Sequence, residues 1–271
     1  MTPALSVVIP WCNRDELATT LAHNRARFAA GHAVVIVVNC GGRRRALAQQ
    51  LATANVAGLR VLHIPVRRFN KSLALNLGAW AASAPRLLQL DADILLDDDT
   101  MVVQAPALLA RPGFVNVERV HESAAARSER PSQLLHIAHV IELETADGRR
   151  AHIETNRYRL TDRSRSAPGL VLLRRADFLA VGGMTSDLEG WGWEDLDLLV
   201  RLQLQLGLRQ RLAGAVIHLS HGDASRDTRG RSRIVTEADN YQRCLAHYAL
   251  GRLIGTYRAD VARWSTRLER T

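Results

Sequence analysis

Four short apolar runs alternate with helix-like segments through the first third of this 271-residue chain. Each run is rich in Val, Ile or Leu and lacks the polar alternation of a half-exposed strand, which predicts strands buried on both faces. The predicted strands are 5–10, 33–38, 59–64 and 87–90, and the helices between them are 15–30, 43–54 and 70–82. This α/β alternation predicts a mostly parallel sheet with helices on both faces and a ligand site at the carboxyl ends of the strands.

The remainder of the chain is less regular. Asp147-Gly148 is a typical hairpin turn, and Gly207 is a typical helix end. The predicted strands here are 114–119, 136–144, 151–155, 169–173 and 215–219, the helices are 100–110, 175–181 and 194–205, and the loops are 123–131 and 162–166. The segment 237–270 predicts one or two basic amphipathic helices.

Composition limits the class of protein. The net charge of +9 favours a polyanionic partner such as a diphosphate, nucleic acid or anionic lipid without choosing among them. Three separated cysteines predict free thiols. No apolar run approaches the roughly 18 residues of a membrane span, and the start of the chain lacks a signal-peptide pattern. We therefore expect a cytoplasmic protein.

Asp91-Ala92-Asp93 follows the fourth predicted strand, where both carboxylates can reach a ligand at the sheet edge. Two like charges this close favour a bound cation, and oxygen ligands select Mg²⁺ or Mn²⁺. His218 or His221 could add an imidazole, which shifts the preference toward Mn²⁺. Because a strand that turns into a loop directs these two side chains differently, we expect only one of them to bind.

Gly190 to Asp197 places two indoles beside three carboxylates. Trp offers an apolar face to a sugar ring, and a carboxylate can take the proton from an attacking hydroxyl. The same residues also suit the start of a helix, where Asp and Glu are favoured. The stretch therefore predicts a sugar site, with a helix cap as the alternative.

Together these motifs resemble the metal-dependent GT-A glycosyltransferases over about residues 5–225. The resemblance is strongest to the β-1,4-galactosyltransferase group, and bacterial family 2 enzymes and polypeptide N-acetylgalactosaminyltransferases share part of the last motif. It implies a GT-A, Rossmann-like fold with a small acceptor-side subregion. The matching motifs are Pro10-Trp11-Cys12-Asn13-Arg14, Phe69-Asn70-Lys71-Ser72 with Leu75-Asn76-Leu77-Gly78, Asp91-Ala92-Asp93, and Gly190 to Asp197.

The resemblance implies a role for each matching residue on the donor side. Asp93 would bind the metal, Asp91 would bind the ribose or the metal, and His221 matches the metal-binding histidine better than His218 because the basic loop 226–233 follows it. The residues expected around the nucleotide-sugar are Pro10, Trp11, Arg14, Asn39 near the base, Asn70, Lys71 and Gly169.

On the acceptor side, the resemblance implies that Trp191 stacks on the sugar, that Asp195 is the general base, and that Glu194 orients hydroxyls. Trp193 would also face the acceptor, but the family often has Gly there, and many relatives have Asp where this chain has Asn39. The acceptor is therefore not assumed to match that of any relative, and no motif assigns a role to residues 111–166.

The resemblance implies a domain division and a reaction. Residues 1–110 would form the nucleotide-binding half and 111–236 the acceptor-binding half of one catalytic domain, followed by a basic helical tail at 237–271. The reaction would move a sugar from a UDP-hexose or UDP-N-acetylhexosamine to a carbohydrate or glycoconjugate acceptor with inversion, using Mn²⁺ or Mg²⁺. The basic tail, with Trp264, could contact the inner face of a membrane.

Two other functions compete with this interpretation. A sugar-nucleotide nucleotidylyltransferase also uses an α/β sheet and metal-bound aspartates, but it would need a Gly-rich phosphate loop where this chain has Pro10 to Arg14. A nucleic-acid-binding protein would suit the net charge, but the cationic residues are scattered and form no known recognition element.

Overall fold

The computed structural model describes residues 2–125, 129–222 and 230–270. These residues form one eleven-stranded mixed sheet with helices on both faces. The strands are β1 Leu5–Trp11, β2 Ala33–Cys40, β3 Arg60–Ile64, β4 Arg86–Gln89, β5 Ile94–Leu96, β6 Phe114–Glu122, β7 His136–Glu144, β8 Arg150–Arg159, β9 Arg165–Arg174, β10 Gln210–His218 and β11 Glu269–Arg270. The helices are α1 Leu17–Ala30, α2 Arg44–Leu51, α3 Lys71–Ala81, α4 Ala105–Leu108, α5 Arg175–Ala180, α6 Glu194–Leu206, α7 Arg233–Ala249 and α8 Tyr257–Trp264.

The strand order is β11-β3-β2-β1-β4-β9-β6-β10-β5, and β8 joins the hairpin β7–β8 to β9. The first four strands run parallel, as the alternation of strands and helices predicts. β9 enters antiparallel between β4 and β6, and β10 lies parallel to β6. The predicted α/β fold is confirmed. The same sheet continues through both halves that the sequence suggested, and the carboxyl ends of β1 and β4 lie at one edge.

Two apolar clusters cover the two faces of the sheet. Alternate residues of β1 separate between them, since Val8 belongs to one cluster and Val7 and Ile9 to the other. On the first face α3 packs directly on β1, and a β-carbon added to Gly78 would lie 2.2 Å from a methyl group of Val8. This close packing sets the distance between α3 and the sheet, and α3 carries Lys71 in its first turn.

Three local predictions are wrong. Only the short α4 forms within the expected helix 100–110. A turn in which the Asp99 carbonyl accepts backbone hydrogen bonds precedes it, and Pro106 lies in the first turn of α4. The expected loop 162–166 ends early, since β9 begins at Arg165 to pair with β6 and β8. The strand β5 was not predicted because it has only three residues, and it is held by β10.

The C-terminal segment forms two helices, as predicted, and packs on the rest of the fold. On α7, Thr236, Asn240, Cys244 and Tyr248 are buried. Trp264, at the end of α8, packs against the first apolar cluster, and β11 pairs with β3. Among the described residues no helix combines the length and the apolar character that crossing a membrane requires.

Candidate active site

A cavity of about 1040 Å³ opens at the carboxyl ends of β1 and β4. Its floor carries Asp91 and Asp93, which follow β4, and its walls come from β8, β9, the N-terminus of α3 and the start of α6. Both cations and carboxylates face it. This is the edge at which a parallel sheet is expected to bind ligands.

Asp93, His218 and His221 form a group that could hold a metal ion, since one ligand atom from each lies within 4.8 Å of the others. The Asp93 carboxylate is 3.2 Å from His221 Nε2 and 3.7 Å from His218 Nε2. Both imidazoles lie near the Asp93 carboxylate, because His218 ends β10 and the His221 ring lies beside it, with ring centres 5.1 Å apart. That only one of them binds a metal stays a prediction. Asp91 is not in this group of described residues.

Glu122 contacts the side of the His218 ring that faces away from Asp93. Its Oε2 lies 2.7 Å from Nδ1 of His218, which leaves Nε2 of that ring toward Asp93. A carboxylate on the far nitrogen of a metal-binding histidine fixes the tautomer and orientation of the ring. Glu122 ends β6, beside His218 on the parallel strand β10, so the sheet register itself creates the pair.

Arg14 supplies positive charge to the same ligands, since its guanidinium contacts both Asp93 and His221. Burial alone would raise the pKa of Asp93, but His218 and Arg14 outweigh it and hold that pKa well below its ordinary range. Hydrogen bonds and charge from Asp93 raise the pKa of His218 against the effect of burial. A carboxylate and two imidazoles that already attract a cationic group fit a divalent ion, and the nitrogen ligands favour Mn²⁺.

Lys71 lies among three carboxylates on the other side of the cavity. Its Nζ is 3.2 Å from Asp91 and 3.0 Å from Asp195 Oδ2. Burial lowers the pKa of Lys71, but Asp195, Asp91 and Glu194 outweigh that effect and hold the pKa above its ordinary value. Burial raises the pKa of Asp91. The second Asp of the D-x-D pair thus serves the metal group, and the first pairs with Lys71.

Glu194 and Asp195 open α6 and face the cavity. One oxygen of each, Glu194 Oε2 and Asp195 Oδ1, is buried without a hydrogen-bond partner. Burial and the neighbouring Asp195 charge raise the pKa of Glu194 to about 7. Unsatisfied buried oxygens are costly in a folded chain, and both of these belong to side chains that line the cavity.

Gly169 lies directly against this acid pair. A β-carbon at Gly169 would be 2.5 Å from Asp195 Oδ2 and 3.3 Å from Lys71 Nζ. The position therefore requires glycine because the Asp195 and Lys71 side chains fill the space, and its role beside the donor sugar stays a prediction.

The two tryptophans are held by α7, a contact that the sequence did not suggest. Thr236 donates a hydrogen bond to the Trp191 carbonyl at 2.9 Å, and Asn240 donates to the Gly192 carbonyl at 2.8 Å. The Arg233 guanidinium lies 3.9 Å from the Trp191 ring centre.

Trp193 has a left-handed backbone with φ of 68°, which costs an L-residue about 1–2 kcal/mol. Its ring packs on Tyr241 at 4.7 Å.

The remaining predicted residues divide into two groups. Pro10, Asn70 and both tryptophans line the cavity. Trp11 and Asn39 do not: the Trp11 ring is buried in the second apolar cluster, and the Asn39 amide binds Gly42 and His63. The structure therefore does not bring these two side chains to the cavity, and their contact with the nucleotide stays a prediction. The first half of the basic loop, 226–229, lies outside the described residues, and Arg233 begins α7.

Sequence reasoning missed several residues of the site. Glu122 and Arg165, which pair at 3.1 Å, lie in a segment without a motif. Arg67 and Arg68 are exposed on the cavity wall. The two consecutive arginines before Phe69 could have predicted that Arg67 and Arg68 belong to the site. Glu122 could not have been found in this way, because only the register of β6 against β10 places it there.

Comparisons with protein families agree with this geometry. A family model described as glycosyl transferase family 2 matches residues 6–179. A second model, described as the N-terminal domain of galactosyltransferase, matches residues 149–222. No curated protein matches the chain in sequence. The matches support a glycosyltransferase over both competing functions.

Solved structures of glycosyltransferases share the fold. A mutant of Drosophila β1,4-galactosyltransferase 7, complexed with manganese, UDP-Gal and xylobiose, is 17% identical with a TM-score of 0.51, over 86% of this chain and 78% of that one. The mannosyltransferase PcManGT of Pyrobaculum calidifontis, with GDP-Man and Mn²⁺, is 17% identical with a TM-score of 0.52, over 97% and 75%. S. aureus TarS residues 1–349, with UDP-GlcNAc, is 13% identical with a TM-score of 0.52, over 84% and 61%. At these identities the likeness establishes the GT-A fold.

Proposed function

The chain belongs to glycosyl transferase family 2, and we propose that it transfers a hexose or N-acetylhexosamine from a UDP-sugar to a carbohydrate or glycoconjugate hydroxyl with inversion. The observation that carries this proposal is the pairing, in one cavity, of a cation-binding group with a carboxylate oxygen that has no partner. Asp93, His218 and His221 form the first, and Asp195 Oδ1 is the second. A donor diphosphate and an acceptor hydroxyl need these two features.

Asp93, His218 and His221 would hold the metal, with Mn²⁺ preferred to Mg²⁺ because two of the three ligands are imidazoles. When bound, the ion would neutralise the charge that develops on the departing diphosphate. Manganese is present in the galactosyltransferase and mannosyltransferase structures with the same fold. Arg14 lies against the same group and would add its charge to the leaving diphosphate.

Asp195 would act as the general base. Its Oδ1 accepts the proton of the acceptor hydroxyl, whose oxygen attacks the anomeric carbon while the bond from that carbon to the diphosphate oxygen breaks. The electron pair of the broken bond leaves with UDP. Lys71 holds Oδ2 at 3.0 Å, so the other oxygen stays directed to the acceptor. One displacement from an α-linked donor gives a β product.

Glu194 and the Trp191 ring would orient the acceptor. Glu194 Oε2 is buried without a partner in the same cavity, where it can accept from a second sugar hydroxyl. Arg233 covers one face of the Trp191 ring at 3.9 Å, and the other face would meet the C–H side of a sugar ring. Its backbone is fixed through Thr236, which keeps the platform in place before the acceptor arrives.

Sugar-nucleotide turnover tests the proposal. A panel of UDP- and GDP-sugars is assayed for Mn²⁺-dependent hydrolysis and for protection against thermal unfolding. We expect one UDP-hexose or UDP-N-acetylhexosamine to give both effects, and the Asp93→Asn variant to lose the metal-dependent part. Turnover of a GDP-sugar alone would overturn the donor assignment, and no turnover or protection by any sugar nucleotide would overturn the proposal.

The cytoplasmic location and a contact between the basic tail and a membrane are further proposals from the sequence. The supporting observation is the exposure of cationic residues along the last two helices, including Arg243, Arg258 and Arg263. Sedimentation with liposomes that contain anionic lipid should carry the protein down, whereas equal sedimentation with neutral liposomes would contradict the electrostatic contact.

A further inference from the structure

The hairpin β7–β8 presents an open strand edge. Among the described residues β7 pairs only with β8, and seven of its nine residues are exposed, the exceptions being Ile141 and Leu143. The exposed residues include Ile137 at 53% and Val140 at 43%. Long apolar edges of this kind are normally covered or blunted, because they pair readily with another strand.

β7 is regular along its whole length. The pairs His139 with Asn156 and Val140 with Glu154 leave Thr155 unpaired, so the extra residue of the bulge is in β8. Hydrogen bonds at the two ends, from Thr145 N to the Arg149 carbonyl and from Leu160 N to the Leu135 carbonyl, place the odd-numbered residues toward β8. Since backbone groups alternate in direction along an antiparallel strand, the outward-facing residues are His136, Ala138, Val140, Glu142 and Glu144.

The outward-facing residues are complementary to their own copy. Antiparallel pairing about a twofold axis at Val140 sets His136 opposite Glu144 at both ends and Ala138 opposite Glu142, with Val140 opposite itself. Every outward residue then meets another outward residue, as hydrogen bonding requires. A shift by one residue sets outward groups against inward ones, and a shift by two leaves one end unpaired.

We infer that the β7 edge pairs with the β7 edge of a second copy, which extends the sheet across a twofold dimer. The His136 imidazole can donate a hydrogen bond to the Glu144 carboxylate of the second copy, and directly facing pairs that hydrogen-bond stabilise adjacent strands. Glu144 is available for the contact because its only described partner, Arg150 at 3.2 Å, is a solvent-exposed ion pair of low energy. In this register Ile137, which is 53% exposed, would face Leu143 of the second copy and add apolar contact.

The dimer would have a consequence for the active site. Thr155, the unpaired residue of the bulge, and Asn156 line the cavity. Pairing of β7 would order the hairpin that carries them. The second copy contributes no catalytic group, so the inference stands independently of the proposed sugar transfer.

Sedimentation equilibrium of the full chain over a range of concentrations tests the inference. The parent should shift from 30.0 kDa toward twice that mass. Val140→Pro removes an outward N–H that the hairpin does not use and should stay monomeric, while the matched Val140→Thr variant keeps the N–H and should dimerise. A parent of one-chain mass at every concentration would overturn the inference, as would equal dimerisation of Val140→Pro.

A charge exchange provides a test that does not depend on proline. Glu144→Lys replaces the accepting carboxylate opposite His136 with a cation and should weaken the dimer by about 2- to 30-fold, the range for a facing pair that occurs twice. The double variant His136→Glu with Glu144→Lys places opposite charges at these facing positions and should recover dimerisation. Failure of the double variant to recover it, in a protein with parental thermal stability, would contradict the proposed register.

Discussion

The Lys71 ammonium lies 3.0 Å from one oxygen of Asp195, and the other oxygen of that carboxylate is buried without a partner. The two side chains come from α3 and α6, which are far apart in the chain. Lys71 therefore both neutralises the carboxylate and fixes which of its oxygens is available. A base that is oriented before the substrate arrives needs no rearrangement during the reaction.

Gly169→Ala tests this orientation. The added methyl would meet Asp195 Oδ2 at 2.5 Å and must displace it. Because a displacement of about 1 Å costs on the order of 100-fold in rate, we expect transfer to fall by about that factor with the thermal melting temperature little changed. Equal rates for Gly169→Ala and the parent would show that Asp195 is not held in this way.

Glu122→Gln tests the support of the metal group. The change weakens the hydrogen bond of 2.7 Å to His218 Nδ1, and losses of 10- to 100-fold in metal affinity are typical for such partners. Calorimetric titration with Mn²⁺ should show a loss of about that size. Glu118→Gln, on the same strand and paired with Arg159, should bind as the parent does. Equal affinities for both variants would contradict the role of Glu122.

The raised pKa of Glu194 predicts a pH dependence of stability. Its pKa is about 7 in the folded protein against an ordinary value of 4.5, so the folded state binds more protons between these values. The contribution of Glu194 to the free energy of unfolding is fully present below pH 4.5 and is lost as pH rises toward 7. Thermal melting in chelator should show a decline over this window that Glu194→Gln lacks. Equal changes of melting temperature with pH in the parent and in Glu194→Gln would contradict the raised pKa of Glu194.

Asp197→Asn should be among the most destabilising single changes in α6. Asp197 is 2% exposed and accepts hydrogen bonds from Arg201, Thr185 and Tyr248. Removing its charge leaves Arg201, 1% exposed, uncompensated, which costs about 3–5 kcal/mol. Urea unfolding measures the loss. The exposed pair of Asp147 and Arg149 provides the control, since Asp147→Asn should cost far less than Asp197→Asn. Similar losses for both variants would contradict the account.

Local pattern predicts most elements of this fold. The buried strands of the first third and the hairpin at Asp147-Gly148 are where the sequence places them, because their apolar runs and turn residues act within a few positions. The helix 100–110 was wrong because composition does not reveal that the chain turns at Asp99 before Pro106. The three-residue β5 exists only through β10.

The same distinction between local pattern and tertiary contact applies to the residues of the candidate site. Residues within a motif, such as Asp93 and Asp195, lie in the cavity. Glu122 and the tie from Thr236 to Trp191 depend on which strands and helices become neighbours. No local pattern encodes such neighbours. Trp11 shows the converse, since it lies in a matching motif but packs into the core instead of the cavity.

The rate of sugar transfer by Asp195→Asn, measured together with its affinity for UDP-sugar, tests the central claim most directly. Asn keeps the shape of the side chain but cannot accept the proton, and general bases typically contribute 10²- to 10⁴-fold. We predict a loss of transfer of at least that order with UDP-sugar and Mn²⁺ still bound. Transfer at the parental rate by Asp195→Asn would contradict the assignment of Asp195 as the base.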